Sequence, residues 1–71
     1  MTNEKIKSHL ITAGVANLIK FGYPHANKEN ILTDLVYSAF FKSMLEDNLG
    51  KSTKQLDVVI NELINTLNQT K

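Results

Sequence analysis

The chain has no cysteine, no tryptophan and a single proline among its 71 residues. Without cysteine there is neither a disulfide nor a thiolate zinc site. Arginine is missing too, since all eight basic residues are lysines. That removes the bidentate guanidinium contacts to guanine and phosphate on which most nucleic-acid readers rely. Charge of one sign is also lacking: eight lysines stand against seven acids, a formal net charge of +1. No apolar run approaches the roughly 20 residues a membrane span requires. A basic-then-apolar N-terminus ending in a small-residue cleavage site is absent, so no signal peptide is expected and the expected location is cytoplasmic. At this length a second domain would have no core of its own, and residues 1–71 are read as one helical domain.

What is present is helical periodicity. Ile6, Leu10, Ala13, Leu18 and Phe21 recur at helical spacing, with Ile11, Val15 and Ile19 widening the face, and predict a helix over 3–21. Thr2 or Asn3 suits the N-cap, and Glu4 suits the positive end of the dipole. Gly22 and Pro24 form a stop signal, one residue tolerating left-handed backbone and the other unable to continue a helix. Gly14 sits inside this helix at a cost of about 1 kcal/mol relative to alanine. Its alignment with Leu10, Leu18 and Phe21 predicts the close approach of another helix.

From Asn27 to Asn48 the apolar residues go all the way round a single helix: Ile31, Leu32, Leu35 and Val36 on one side, Tyr37, Phe40, Phe41, Met44 and Leu45 on the other. One reading is a central helix buried on every side. The simpler one is a break near Thr33, with Asn27 capping a short turn over 28–32, Thr33 capping a second helix over 34–48, and Asp34 in its first turn. Gly50 is the expected left-handed cap. Ser52-Thr53-Lys54-Gln55 then matches a capping box opening a last helix over 53–69. Leu56, Val59, Ile60, Leu63, Ile64 and Leu67 form its stripe, the clearest in the chain but too short for a coiled coil. The expected fold is all-α: a bundle of three main helices with one short extra helical turn before the second.

Chemistry-bearing constellations are sparse. Gly50-Lys51-Ser52-Thr53 resembles the end of a phosphate-binding loop, but Leu45 stands where that motif needs glycine, and a helix rather than a strand precedes it. His9 has Lys5 four residues away, not a carboxylate, and His25 has Glu29 four residues on across a loop; no metal site is expected. Glu46 and Asp47 are adjacent and diverge on a helix, whereas acid–base chemistry needs carboxylates converging in a cleft. No catalytic residue, cofactor or enzymatic activity is expected. The segment from Lys28 through Lys42 can be drawn as a helix-turn-helix. Its recognition helix would carry Asp34, Glu46 and Asp47 against Lys42 alone, and a net charge near zero releases few counterions.

The aromatic set is more informative. Tyr37, Phe40, Phe41 and Met44 follow i, i+3, i+4, i+7 spacing, which makes them core candidates, Phe40 and Met44 above all. Leu35, Val36 and Ala39 on the opposite side then need the first helix or a second copy of the chain. The candidate interaction surface is therefore Leu35, Val36 and Ala39 on one side, or Tyr37 and Phe41 on the other. A two-fold homodimer is the expected assembly, being the commonest closed arrangement.

Phe21-Gly22-Tyr23-Pro24, Asn27-x-x-Asn30-Ile31-Leu32-Thr33-Asp34 and Val36-Tyr37-Ser38-x-Phe40-Phe41-Lys42-Ser43-Met44-Leu45 resemble a pattern in short uncharacterised proteins of bacteriophage and prophage genomes. The resemblance covers roughly the middle third of the chain. It implies a small accessory protein that binds a host or phage protein. The leading functional expectation is thus a non-catalytic protein–protein interaction module. A small helix-turn-helix-like DNA-binding regulator is the alternative.

Overall fold

Thr2 opens the first helix. Its hydroxyl accepts from the Lys5 amide at 3.2 Å, and α1 runs over Asn3–Lys20. The computed structural model describes residues 2–51 and 53–69. Phe21 is the C-cap and Gly22 follows at φ +106. The Tyr23 amide donates to the Leu18 carbonyl at 3.0 Å and the Gly22 amide to the Ile19 carbonyl at 3.2 Å. These are the paired closing bonds of a Schellman turn, which needs a residue free of Cβ strain at Gly22.

The next turn is built by two asparagines. The Asn27 side-chain oxygen accepts from the Glu29 and Asn30 amides, both at 2.9 Å. The Asn30 side-chain oxygen accepts in return from the Asn27 amide at 2.8 Å. This is the reciprocal logic of a capping box. It leads into the short α2 (Asn30–Thr33), slightly later than the expected 28–32 turn.

The break near Thr33 is present, but Asp34 makes the cap rather than Thr33. Asp34 is extended (φ −77, ψ 132), and its carboxylate accepts from the Val36 and Tyr37 amides. The Thr33 hydroxyl donates back to the Glu29 carbonyl at 3.1 Å. A carboxylate at the N-cap satisfies orphan amides and faces the positive helix end, so Asp34 wins over its neighbour. α3 follows over Leu35–Asn48.

Gly50, at φ +77, turns the chain into α4 (Lys54–Gln69). Ser52 of the expected capping box lies outside the described residues. Thr53 precedes α4, and its hydroxyl accepts from the Leu56 amide at 3.3 Å. Among the described residues there is no strand, so the all-α expectation holds.

Leu18 from α1, Ile31 from α2, Phe41 and Leu45 from α3, and Val59, Ile60, Leu63 and Leu67 from α4 form the core, with Ala26 from the loop before α2. The α4 stripe faces inward as expected, with Leu56 and Ile64 at its edges. α2 touches the other three helices, closing the bundle where α1 gives way to its loop. Gly14 explains the close packing of α1. A Cβ there would lie 2.7 Å from both Ile31 Cδ1 and Phe41 Cδ1. The radius of gyration, 11.4 Å, matches the ~11 Å of a tightly packed chain this long, so no element stands off the bundle.

Candidate interaction surface

Asp34 fixes where α3 begins. With that start, Ser38, Phe41 and Leu45 turn inward. Leu35 and Val36 turn outward and are 70% and 59% exposed. Ala39, one turn on, and Ser43, a further turn on, are also exposed. The α3 face opposite the core is thus apolar over its N-terminal half. It becomes polar from Lys42 and Ser43 on to Glu46 and Asp47.

The two sides proposed from the sequence have different fates. Leu35, Val36 and Ala39 share an open face. Phe41 does not belong to any surface: it is fully buried among Leu18, Ile31 and Leu45. The periodicity placed it correctly beside Tyr37 but could not say which flank of the aromatic group met α1. The contact with Gly14 decides it, because only there can a ring approach the α1 backbone this closely. Phe40 and Met44, expected as core, are half-buried and pack on the core's edge.

Tyr37 is half-buried on a flank of α3 away from Ala39, its ring edge-on to Tyr23 at 5.5 Å between centroids. Phe40 pairs similarly with Phe21, also at 5.5 Å. Such tilted arrangements suit the ring quadrupoles and contribute about 0.5–1.5 kcal/mol beyond burial. Phe21 itself remains 65% exposed. Sequence reading assigned it to the buried face of α1, but it stands at the C-cap, where the chain turns away. The Gly22 stop signal was the clue. Ile19, expected to widen the buried face of α1, is likewise exposed.

No protein-family model, curated protein or solved structure matches the chain.

Clefts lie elsewhere among the described residues. One, of about 280 Å³, lies between Asn17, Phe21, Phe40, Ser43, Met44 and Asp47. The Asn17 side-chain amide donates there to the Met44 sulfur at 3.0 Å, a weak acceptor. The other, of about 530 Å³, is an open groove between α1 and the start of α4, with walls of Ile6, Leu10, Ala13 and Leu56. His9 lines it without a carboxylate among the described lining residues. His25 is exposed in the loop, where its carbonyl accepts from the Asn30 side-chain amide at 2.8 Å. Among the described residues no three histidines or carboxylates converge as metal ligands would. The Gly50 amide donates to the Asp57 carboxylate at 3.1 Å, which puts a negative group where a phosphate-binding loop would cradle its anion. Among the described residues no helix is long and apolar enough to cross a membrane.

Proposed function

We propose that this chain is a small phage-type accessory protein that works as a non-catalytic protein–protein interaction module. The carrying observation is the open face of α3, where Leu35 and Val36 stand exposed beside Ala39. Soluble domains rarely leave neighbouring large aliphatic side chains uncovered, and contiguous patches of this kind mark binding surfaces. Phe40, one turn on from Val36, and Phe21, which packs on it, flank the face with aromatic rings, the residue class enriched in interface cores. The resemblance to short phage and prophage proteins supports the same reading. The DNA-binding alternative draws no support from this face, whose charged end is acidic through Glu46 and Asp47.

The test is a photo-crosslinking residue placed at Val36 and, separately, at Asn65 on the wet face of α4. In cells that make the protein, the Val36 position should yield a discrete protein adduct and Asn65 should not. Equal labelling from both positions, or none from either, overturns the proposal.

A further inference from the structure

We infer that the cleft between the C-terminal turns of α1 and α3 binds an alkylammonium cation, the headgroup of a small amine or the end of a lysine side chain. This does not depend on what covers the outer face of α3. The cleft's walls are Asn17, Phe21, Phe40, Ser43, Met44 and Asp47. Two of them are aromatic: the Phe21 and Phe40 rings lie 5.5 Å apart between centroids, with their planes tilted by 53°. Rings at that tilt adjoin as two walls and do not stack face to face, so ring surface remains for a third group. Phe21 stays 65% exposed despite this contact. The face of a phenyl ring is negative and attracts a cation within about 6 Å of its centroid, which is how aromatic cages hold substituted ammonium groups.

The polar atoms select the same sign of charge. Asp47 brings a carboxylate to the cleft, and among the described residues the ion pair formed is Lys7 with Glu4, not one to Asp47. Lys20 lies in the last turn of α1 but is not among the walls. The Asn17 side-chain nitrogen donates to the Met44 sulfur at 3.0 Å. A thioether sulfur accepts and cannot donate, so this bond fixes which end of the amide faces it and leaves the amide oxygen to accept from a ligand N–H. Asn17 and Phe21 stand in the last turn and at the C-cap of α1, and Asp47 stands in the last turn of α3. Helix C-termini carry partial negative charge, and α3 has no basic residue in its last turn to offset it. An anion would meet a carboxylate, ring faces and helix ends that all repel it.

Size narrows the cation. The cleft holds about 280 Å³, just under the roughly 300–1,000 Å³ of sites for drug-sized ligands. That is room for a trimethylammonium headgroup or the tip of a lysine chain. The soft, polarizable sulfur of Met44 suits the carbon substituents on such a nitrogen.

The test titrates choline and, separately, Nα-acetyl-lysine amide into isotope-labelled protein followed by amide NMR. The control is the neutral isostere of choline, with a tert-butyl group in place of trimethylammonium. The expected result is saturable shifts centred on the cleft residues, a dissociation constant in the millimolar range for at least one cation, and binding of the neutral isostere about 10-fold weaker or less. Phe21→Leu keeps apolar bulk but removes a ring, and Asp47→Asn keeps the shape but removes the charge. Both positions are exposed, so well-dispersed spectra will show that the variants keep the fold. Each should weaken cation binding about threefold or more, and the Asp47→Asn loss should shrink at high salt. Tighter binding of choline assigns the site to free amines, and tighter binding of the lysine derivative assigns it to a lysine of a partner. Equal binding of choline and its neutral isostere overturns the cation reading and leaves an apolar notch. Shifts that fail to saturate with either cation up to about 100 mM, or that neither substitution weakens, overturn the site.

Discussion

Replacing Gly14 by alanine puts two opposing terms in the same place. In an exposed helix the change stabilises by about 1 kcal/mol, because glycine loses more backbone entropy on folding. Here the new Cβ would lie 2.7 Å from Ile31 Cδ1, 2.7 Å from Phe41 Cδ1 and 2.8 Å from Phe41 Cε1. Carbon atoms prefer about 3.5–4.0 Å, so each contact is about 1 Å too short. Ile31 can swing its terminal methyl. Phe41 is fully buried and its ring has nowhere to go. Overpacking of this kind costs about 1–3 kcal/mol; three short contacts place it in the upper part of that range, about 2–3 kcal/mol, which outweighs the helix gain and gives a net loss of about 1–2 kcal/mol. In a chain this size that is a fall of roughly 5–15 °C in melting temperature. Thermal unfolding followed by far-UV circular dichroism reads it. Ile31→Val shortens one of the clashing side chains, so the double variant should lose at least about 0.5 kcal/mol less than the two single losses combined. A Gly14→Ala protein that melts higher than the wild type, as an exposed helical glycine would, refutes the packing of α1 on Phe41.

Gly22→Ala and Gly50→Ala should each cost on the order of 1–2 kcal/mol for a different reason: nothing lies near the new Cβ, but φ is +106 and +77. Urea titration should show Asn in place of either glycine to be milder than Ala, since Asn tolerates that region. Asp34→Ala removes the acceptor for the Val36 and Tyr37 amides and should lose about 1 kcal/mol, with Asn recovering most of it in the same titration. Phe41→Ala should cost about 3–5 kcal/mol, whereas Val36→Lys, on the open face, should leave the unfolding free energy at low protein concentration within about 0.5 kcal/mol of wild type.

Helix existence and most boundaries were legible because they are written in local chemistry. Thr2, Gly22, Asn27, Gly50 and the α4 stripe each act within a few residues of their own position. Gly14 was legible for the same reason: a costly residue in mid-helix needs a partner that comes close. The rotation of α3 was not. Asp34 and Thr33 are both good caps, but neither choice says which face of the helix meets the core. Which of Phe40 and Phe41 is buried then depends on where α1 lies, a contact between residues far apart in sequence. Leu35, Val36 and Ala39 emerged correctly as the uncovered side because they lie opposite the aromatic group. Phe41 was misplaced because periodicity defines a face without saying what meets it. Phe21 was misread because the periodic pattern runs one residue past the point where the Schellman turn carries the chain away from the core.

Hydroxyl-radical footprinting, read by mass spectrometry at single side chains, bears most directly on α3's open face as a surface that another chain covers. Ile19 and Val58 are exposed apolar residues outside that face and serve as internal references. Leu35 and Val36 should be oxidised readily in dilute purified protein and be protected several-fold relative to Ile19 and Val58 inside the cells that produce it. If Leu35 and Val36 react in the cell as fast as they do in dilute solution, the face is bare where the protein works, and it is not an interaction surface.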